Sequence, residues 1–446
     1  MYPYSRLKAL VLVPLVLGLA VTFFQIIIFG YQGKFWSQEV IFLINDGHCK
    51  TLEGIGLHCF GDFGFPFNGV KDPLLYSENN LVLTINPPMI FVFKLLGVLP
   101  YKQAMFLYLF CSILAICSPF FNRSSKITVS DKIIWSIVTG LLSIGSLAAL
   151  DRANNVIFTV PLLFGYIFAV HKSRWNLALL MVVLIAALKI WAIFLIVALV
   201  ARGRYRHAGL AVFLSGLVNF LPIMALHLLG HPYGLLAKLR FTVGAMFNVG
   251  YANHVSTYSI SFSALLKRIF CIFNSNTACN MPEASRAVVG SSVVKTLIII
   301  VCLVIVYGLF KIKNVPQYVW MTAISGLPVV VVPDAAIYNS STVVAGLAAI
   351  LAFQVVDQRE VKQKLSKIWE ILTSLPIVVS LISFSAVSNS NRSTSALLVN
   401  GNIYWRSYWY AIPAAWAVFY IGAIVLALYQ SPFKESLRRM VFSRNV

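Results

Sequence analysis

The chain of 446 residues is 59% hydrophobic and only 11% charged, with a mean hydropathy of +0.83. Repeated apolar runs near the length of a bilayer-spanning helix exclude a water-soluble globular protein, whose core cannot use that much apolar sequence. The formal charge of +21 does not point to nucleic acid, because Lys and Arg collect in short clusters between apolar runs, such as Arg202, Arg204 and Arg206. That is the pattern of positive-inside loops facing anionic lipid head groups.

The expected class is an all-α polytopic membrane protein, since lipid leaves each span to satisfy its own backbone polar groups. The first span, about 7–30, follows Arg6. It is long and has no small-residue cleavage site, so it reads as a retained helix rather than a signal peptide. A long first outer loop, 31–86, follows, and Pro87 then opens an amphipathic helix over 87–99. Residues 104–121 return to a cytoplasmic stretch at 122–132. Residues 133–150 cross outward and present DRANN (Asp151 to Asn155), and 156–170 come back to the basic turn HKSR.

The run 175–200 carries basic residues at both ends, so a single crossing would break the positive-inside pattern. A broken helix or tight hairpin near Lys189 resolves this, because intramembrane breaks occur where the chain lines a cavity. The other solution is an ordinary span, with 87–99 crossing fully. Beyond it, 208–229 lead to a second long outer loop, 231–291, and spans near 293–309, 319–332, 342–356, 368–387 and 410–429 precede a basic tail. The whole is one integral-membrane domain, 1–446, without internal repeats, of roughly 9–11 helices and with two long extracytoplasmic loops. Its expected place is the cell (inner) membrane, with both termini cytoplasmic.

Of seven cysteines, Cys111, Cys117 and Cys302 lie in apolar spans, where a thiol is inert packing. Cys49 and Cys59 share the first outer loop, and Cys271 and Cys279 the second, which fits two disulfides in an oxidising compartment. Metal ligation with His48 and His58 is the alternative, although the spacing matches no zinc pattern.

Six of the fourteen carboxylates (Glu39, Asp46, Glu53, Asp62, Asp72, Glu78) fall in the first outer loop, although solvation alone gives such a loop a use for polar residues. An acid at that face is a candidate for acid–base chemistry. Asp62 stands out because Gly61, Gly64 and Pro66 frame it, which suits a fixed turn. Asp46, with Gly47 beside it, is the alternative. Four cations accompany these acids: Arg152 in DRANN, Lys189 deep in an apolar run, and Lys238 with Arg240 in LLAKLRF. Intramembrane charge is a functional signal by default. The Lys238/Arg240 segment reads equally as a lipid-facing surface helix. One acid near several cations suits an acceptor hydroxyl beside an anionic, lipid-linked donor.

The order of these features resembles the GT-C superfamily of integral-membrane glycosyltransferases. A first helix leads to an outer loop with an Asp; LLY (Leu74 to Tyr76) and NPPMIFVFKLLGVLP follow, then DRANNVIFTVPLLFGYIF, then a Lys-containing apolar run ending in basic residues. The chain looks most like bacterial enzymes that use polyprenyl-phosphate sugars, such as actinobacterial mannosyltransferases, and is similar in composition to serotype-converting O-antigen glucosyltransferases. The match covers about 7–209; Ile190 and Arg152-Ala153 stand where many relatives have Pro and Gly-Gln.

The resemblance implies an inverting transfer of a hexose or pentose from a polyprenyl-phosphate sugar to an envelope glycan or glycolipid. Asp62 would be the general base, and Arg152, Asn155, Lys189, Lys238 and Arg240 would hold the donor phosphate. No metal or other cofactor is implied outright, although some members use a divalent cation. The expected partners are donor, acceptor and membrane lipids, with no nucleic acid. A transporter or flippase of lipid-linked sugars, or an O-antigen polymerase or ligase, is the alternative.

Overall fold

The computed structural model describes residues 4–21, 60–70, 86–122, 127–228, 292–312, 315–332, 337–353, 363–382 and 408–430, with short pieces within 261–269 and 398–403. Asp46, Lys238, Arg240, Cys49, Cys59, Cys271 and Cys279 lie outside the described residues.

In chain order the helices are α1 (Tyr4–Val21), α2 (Gly61–Gly69), α3 (Pro87–Leu96), α4 (Tyr101–Phe121), α5 (Val129–Leu141), α6 (Ile144–Asp151), α7 (Asn155–His171), α8 (Trp175–Leu188) and α9 (Ile190–Ala201). Then come α10 (Tyr205–Leu228), α11 (Ser292–Lys311), α12 (Gln317–Val330), α13 (Asn339–Phe353), α14 (Gln363–Leu381) and α15 (Tyr408–Gln430). Strand pairing among the described residues is confined to Leu398–Val399 against Asn402–Ile403. Five helices are long and apolar enough to cross a membrane, or six if the bent pair α5–α6 is one span. The protein is therefore an all-α polytopic membrane protein.

Burial sorts the helices into centre and rim. Every residue from Tyr318 to Val330 in α12 is buried, and so is every residue from Val343 to Ala352 in α13. Helices apolar on all faces belong at the centre of such a bundle. By contrast α1, α4, α10, α11 and α15 expose large apolar side chains, among them Leu17, Phe110, Phe213, Val304 and Ile421, a surface suited to lipid. Some polar atoms in the centre are paired where lipid could not pair them: the Tyr420 hydroxyl donates to the Ala323 carbonyl and the Trp416 indole to Ser380 Oγ, whereas Trp320 Nε1 and Thr322 Oγ1 of α12 are buried without a partner among the described residues.

The run 175–200 is broken, as one of its two readings requires. Lys189 is extended (φ −146°, ψ 119°) between α8 and α9. The 14 residues of α8 rise about 21 Å. The six 3₁₀ and six α residues of α9 descend by about the same length. The two ends accordingly meet: the Arg204 guanidinium lies 4.9 Å from the Trp175 ring centroid, and His207 bonds Asn176 at 3.1 Å. The segment is a hairpin with Lys189 at its tip.

One kind of turn closes three helices. Asn154 N–H donates to the Ala149 carbonyl and Ala153 N–H to that of Leu150; Arg174 and Ser173 repeat this on Ala169 and Val170, and Arg204 and Gly203 on Leu199 and Val200. These are Schellman caps, which need a left-handed residue. Ala153 (φ 50°), Ser173 (φ 54°) and Gly203 (φ 71°) supply it. The caps after α7 and α9 carry basic residues that stack on aromatic rings of neighbouring helix ends, Lys172 on Phe353 and Arg202 on Phe310. At the start of α1, Arg6 pairs with Glu370 and Lys8 with Asp131.

The crossing expected over 133–150 is bent: α5 and α6, which begin at Val129, meet at 64°. Thr139 Oγ1 bonds back to the Trp135 carbonyl, the second half of α5 is π-helical, and Ser143 is extended. Back-bonding and π-turns both bend helices. The bend lets α6 lie against 337–342 so closely that a Cβ on Gly145 would sit 2.1 Å from Ser340 Oγ and 2.6 Å from the Ser341 backbone nitrogen. A backbone atom cannot swing aside, so Gly145→Val should destabilise the fold by about 1–3 kcal/mol or more. Its melting midpoint in detergent should fall clearly below that of Gly209→Val, where a Cβ meets open space.

Candidate active site

The stretch GDFGFPFNG forms α2 rather than the fixed turn its glycines and Pro66 predict. Nine residues with three glycines and an interior proline have little helical tendency of their own. Tertiary packing supplies the difference. Phe63 and Phe67 fall one turn apart on one face, both fully buried, and stack at 5.3 Å. Phe63 also lies 5.6, 5.7 and 5.1 Å from Phe93, Tyr101 and Tyr108. This aromatic cluster, with Met89, Ile90, Met105 and Ala153, is separate from the main core.

Anchored this way, α2 presents Asp62 in its first turn, where the helix dipole favours a carboxylate. The Schellman turn after α6 meets it. Asp62 N–H donates to the Arg152 carbonyl at 3.0 Å. Arg152 Nε donates to Asp62 Oδ2 at 2.9 Å and Nη2 to Oδ1 at 2.7 Å, the two-pronged geometry of a guanidinium on a carboxylate. Asn154 Nδ2 donates to Oδ2 as well, while Asn154 Oδ1 accepts from Val156 N–H and caps the start of α7. Among the described residues Oδ2 thus accepts two bonds and Oδ1 one, which leaves Oδ1 an open lone pair.

Ala153 makes the turn possible without glycine. A left-handed alanine is strained by about 1–2 kcal/mol. Its methyl, 1% exposed in the aromatic cluster, offsets about 0.8 kcal/mol of that.

The hairpin tip also reaches this cluster, with Leu188 packed against it. Lys189 interacts electrostatically with both Asp62 and Arg152. Among the described residues its ammonium has no hydrogen-bond or ion-pair partner. Asn155 Nδ2 lies 3.5 Å from the Leu188 carbonyl, the outer limit of a hydrogen bond. Among the described residues the buried Tyr108 hydroxyl has no hydrogen-bond partner, and it also senses Asp62. A fixed carboxylate with one open lone pair, beside an unpaired ammonium, can take a proton from a hydroxyl while an anion is held close by.

A family model described as Glycosyltransferase family 87 matches residues 84–333, more than half of the chain. The chain belongs to glycosyltransferase family 87. It is a membrane glycosyltransferase of the GT-C kind. The matched stretch of this family 87 member includes Arg152, Asn154, Asn155 and Lys189, and Asp62 precedes it. No curated protein and no solved structure matches the chain.

Of the residues singled out in the sequence, Asp62, Arg152, Asn155 and Lys189 come together in this family 87 glycosyltransferase although 127 positions separate the first from the last. Asn154 is visible within DRANN, but nothing in the sequence marks its role. Asn86 and Asn219 at the hairpin and the aromatic anchors of α2 escape sequence reasoning. A lone Asn within the apolar run FLSGLVNFLPIM is the available signal for Asn219. Among the described residues no three His, Cys, Asp or Glu side chains cluster as a metal site would require.

Proposed function

We propose that the enzyme transfers a hexose or pentose from a polyprenyl-phosphate sugar to a glycan or glycolipid acceptor at the extracytoplasmic membrane face, with inversion. The observation that carries this is the Asp62 carboxylate, fixed by Arg152 and Asn154, within electrostatic reach of the Lys189 ammonium at the break between α8 and α9. The acceptor hydroxyl gives its proton to Asp62 Oδ1 as its oxygen bonds to the anomeric carbon. The bond from that carbon to the phosphate oxygen breaks, and the electron pair leaves with polyprenyl phosphate. Lys189 holds the departing charge, with Arg152, Asn155, Lys238 and Arg240 as further donor contacts. The proton on Asp62 then passes to water.

Proton transfer to Asp62 comes late, because the acceptor hydroxyl becomes acidic only as its oxygen bonds to the electron-poor sugar carbon. Pairing with Arg152 removes any need to position the base during the reaction.

Purified enzyme offered a panel of radiolabelled polyprenyl-phosphate sugars, with and without a chelator, should transfer label from one of them with inverted anomeric configuration. Binding without transfer for every donor and acceptor tried would instead favour a transporter of lipid-linked sugars.

The orientation has its own test. In a background free of cysteine, Asn68→Cys on α2 should react with an impermeant thiol reagent from outside. Tyr205→Cys, exposed beside the basic turn, should react only after the membrane is opened. Labelling of Tyr205→Cys in intact cells would reverse the topology.

A further inference from the structure

Breaking a helix inside a membrane leaves carbonyls without partners, and lipid cannot supply any. At the tip of the α8–α9 hairpin the freed carbonyl of Ala186 accepts two side-chain bonds. Asn86 Nδ2 donates from 2.8 Å and Asn219 Nδ2 from 3.1 Å. The donors come from different elements, the residue before α3 and the middle of α10. Asn86 precedes α3 in the position of an N-cap yet makes no capping bond, and Pro87 offers no N–H there. Its amide reaches 100 residues along the chain instead. Asn219 also donates to the Ser215 carbonyl one turn back, which fixes its direction.

In an unbroken helix the Ala186 carbonyl would accept from the N–H of Ile190. The two amides therefore compete with helix closure, and closure would remove the extended geometry at Lys189. We infer that Asn86 and Asn219 are positioning residues that hold the helix open at Lys189 and thereby aim its ammonium at the Asp62–Arg152 pair. They touch neither donor nor acceptor. This inference rests on the reading of Lys189 as the seat of the donor phosphate.

Two neutral hydrogen bonds of ordinary strength shift such a balance by about tenfold or more. The test uses Asn86→Leu, Asn219→Leu and the double variant, each branched at the same carbon as the native side chain but unable to donate a hydrogen bond. Three readouts are compared: the rate at which a lone cysteine in Lys189→Cys reacts with a small maleimide, the Kd for a polyprenyl phosphate, and the split between donor KM and kcat. The double variant should slow or speed the labelling by about tenfold or more and weaken polyprenyl phosphate by a like factor. Donor KM should rise more than kcat falls. Asn219→Gln, which keeps the donor, should restore much of the binding.

In a Lys189→Ala background the asparagine substitutions should cost no further affinity, because they act through Lys189. Folded double variant with unchanged labelling and unchanged Kd would overturn the inference. So would an equal added loss of affinity in the Lys189→Ala background. If Lys189→Ala itself leaves the Kd unchanged, the phosphate role of Lys189 fails, and the labelling rate still decides whether the asparagines hold the break. The single variants keep one donor on Ala186, so they test the point if the double variant does not fold.

Discussion

Asp62→Asn should lower kcat by at least about 10²-fold, since general-base catalysis contributes about 10²–10⁴. Its Kd for a polyprenyl phosphate should change little. The substituted amide would turn an NH₂ toward Arg152 or Asn154, both of them donors, so part of any loss reflects a disturbed pair. Arg152→Met separates the two effects. It leaves the carboxylate but removes both bonds of the fork, and it should lower kcat by less than Asp62→Asn does. If the two variants lose equally, the pair is a structural tie and the base lies elsewhere, with Asp46 the next to substitute. Stability is a poor reason for keeping this pair. Its side chains are 24% and 29% exposed, and ion pairs in such settings contribute about 1 kcal/mol or less. An arrangement that adds so little to folding, yet uses a bidentate fork, a capping asparagine and a backbone bond, makes sense as the fixing of one carboxylate.

What the sequence reveals here follows from which signals are local. Apolar runs and basic clusters report the membrane class directly, because lipid thickness and head-group charge act on each segment by itself. The basic residues flanking 175–200 even mark its break. Lys189 marks the tip, since a charge deep in an apolar run is costly unless the chain there lines a polar site. Asp62 is conspicuous for the glycines and proline that frame it, and Arg152 for its place in DRANN at a span end. Their direct bond is not, because contacts between residues 90 apart depend on how α2 docks and α6 bends. The helical state of GDFGFPFNG is hidden more deeply. Its glycines and proline argue against a helix, and what overrides them is a pocket built by Phe93, Tyr101 and Tyr108 from two other helices. Asn86 misleads in a similar way. Beside Pro87 it reads as the start of a helix, and its amide is in fact committed to a carbonyl of α8.

Phe63→Ala should disable the enzyme while leaving most of the bundle standing. The side chain is fully buried between four rings, and truncating such a phenylalanine typically costs about 3–5 kcal/mol. In a large core that loss is shared by many neighbours. Here it falls on a nine-residue helix that has little stability apart from its two aromatic anchors and the bonds to Arg152 and Asn154. Undocking α2 then becomes easier than unfolding the protein, and Asp62 leaves with it. Turnover should fall as far as in Asp62→Asn, although the carboxylate is still present. The melting midpoint should move little, because the main core around α12 and α13 does not include this cluster. Phe63→Leu, which keeps apolar volume, should recover part of the activity. The decisive readout is the labelling rate of Val70→Cys, only 7% exposed while α2 is docked, which should rise in Phe63→Ala together with the loss of turnover. Full turnover in Phe63→Ala would show that α2 does not need its aromatic anchor, and the account of how the site is held would fail.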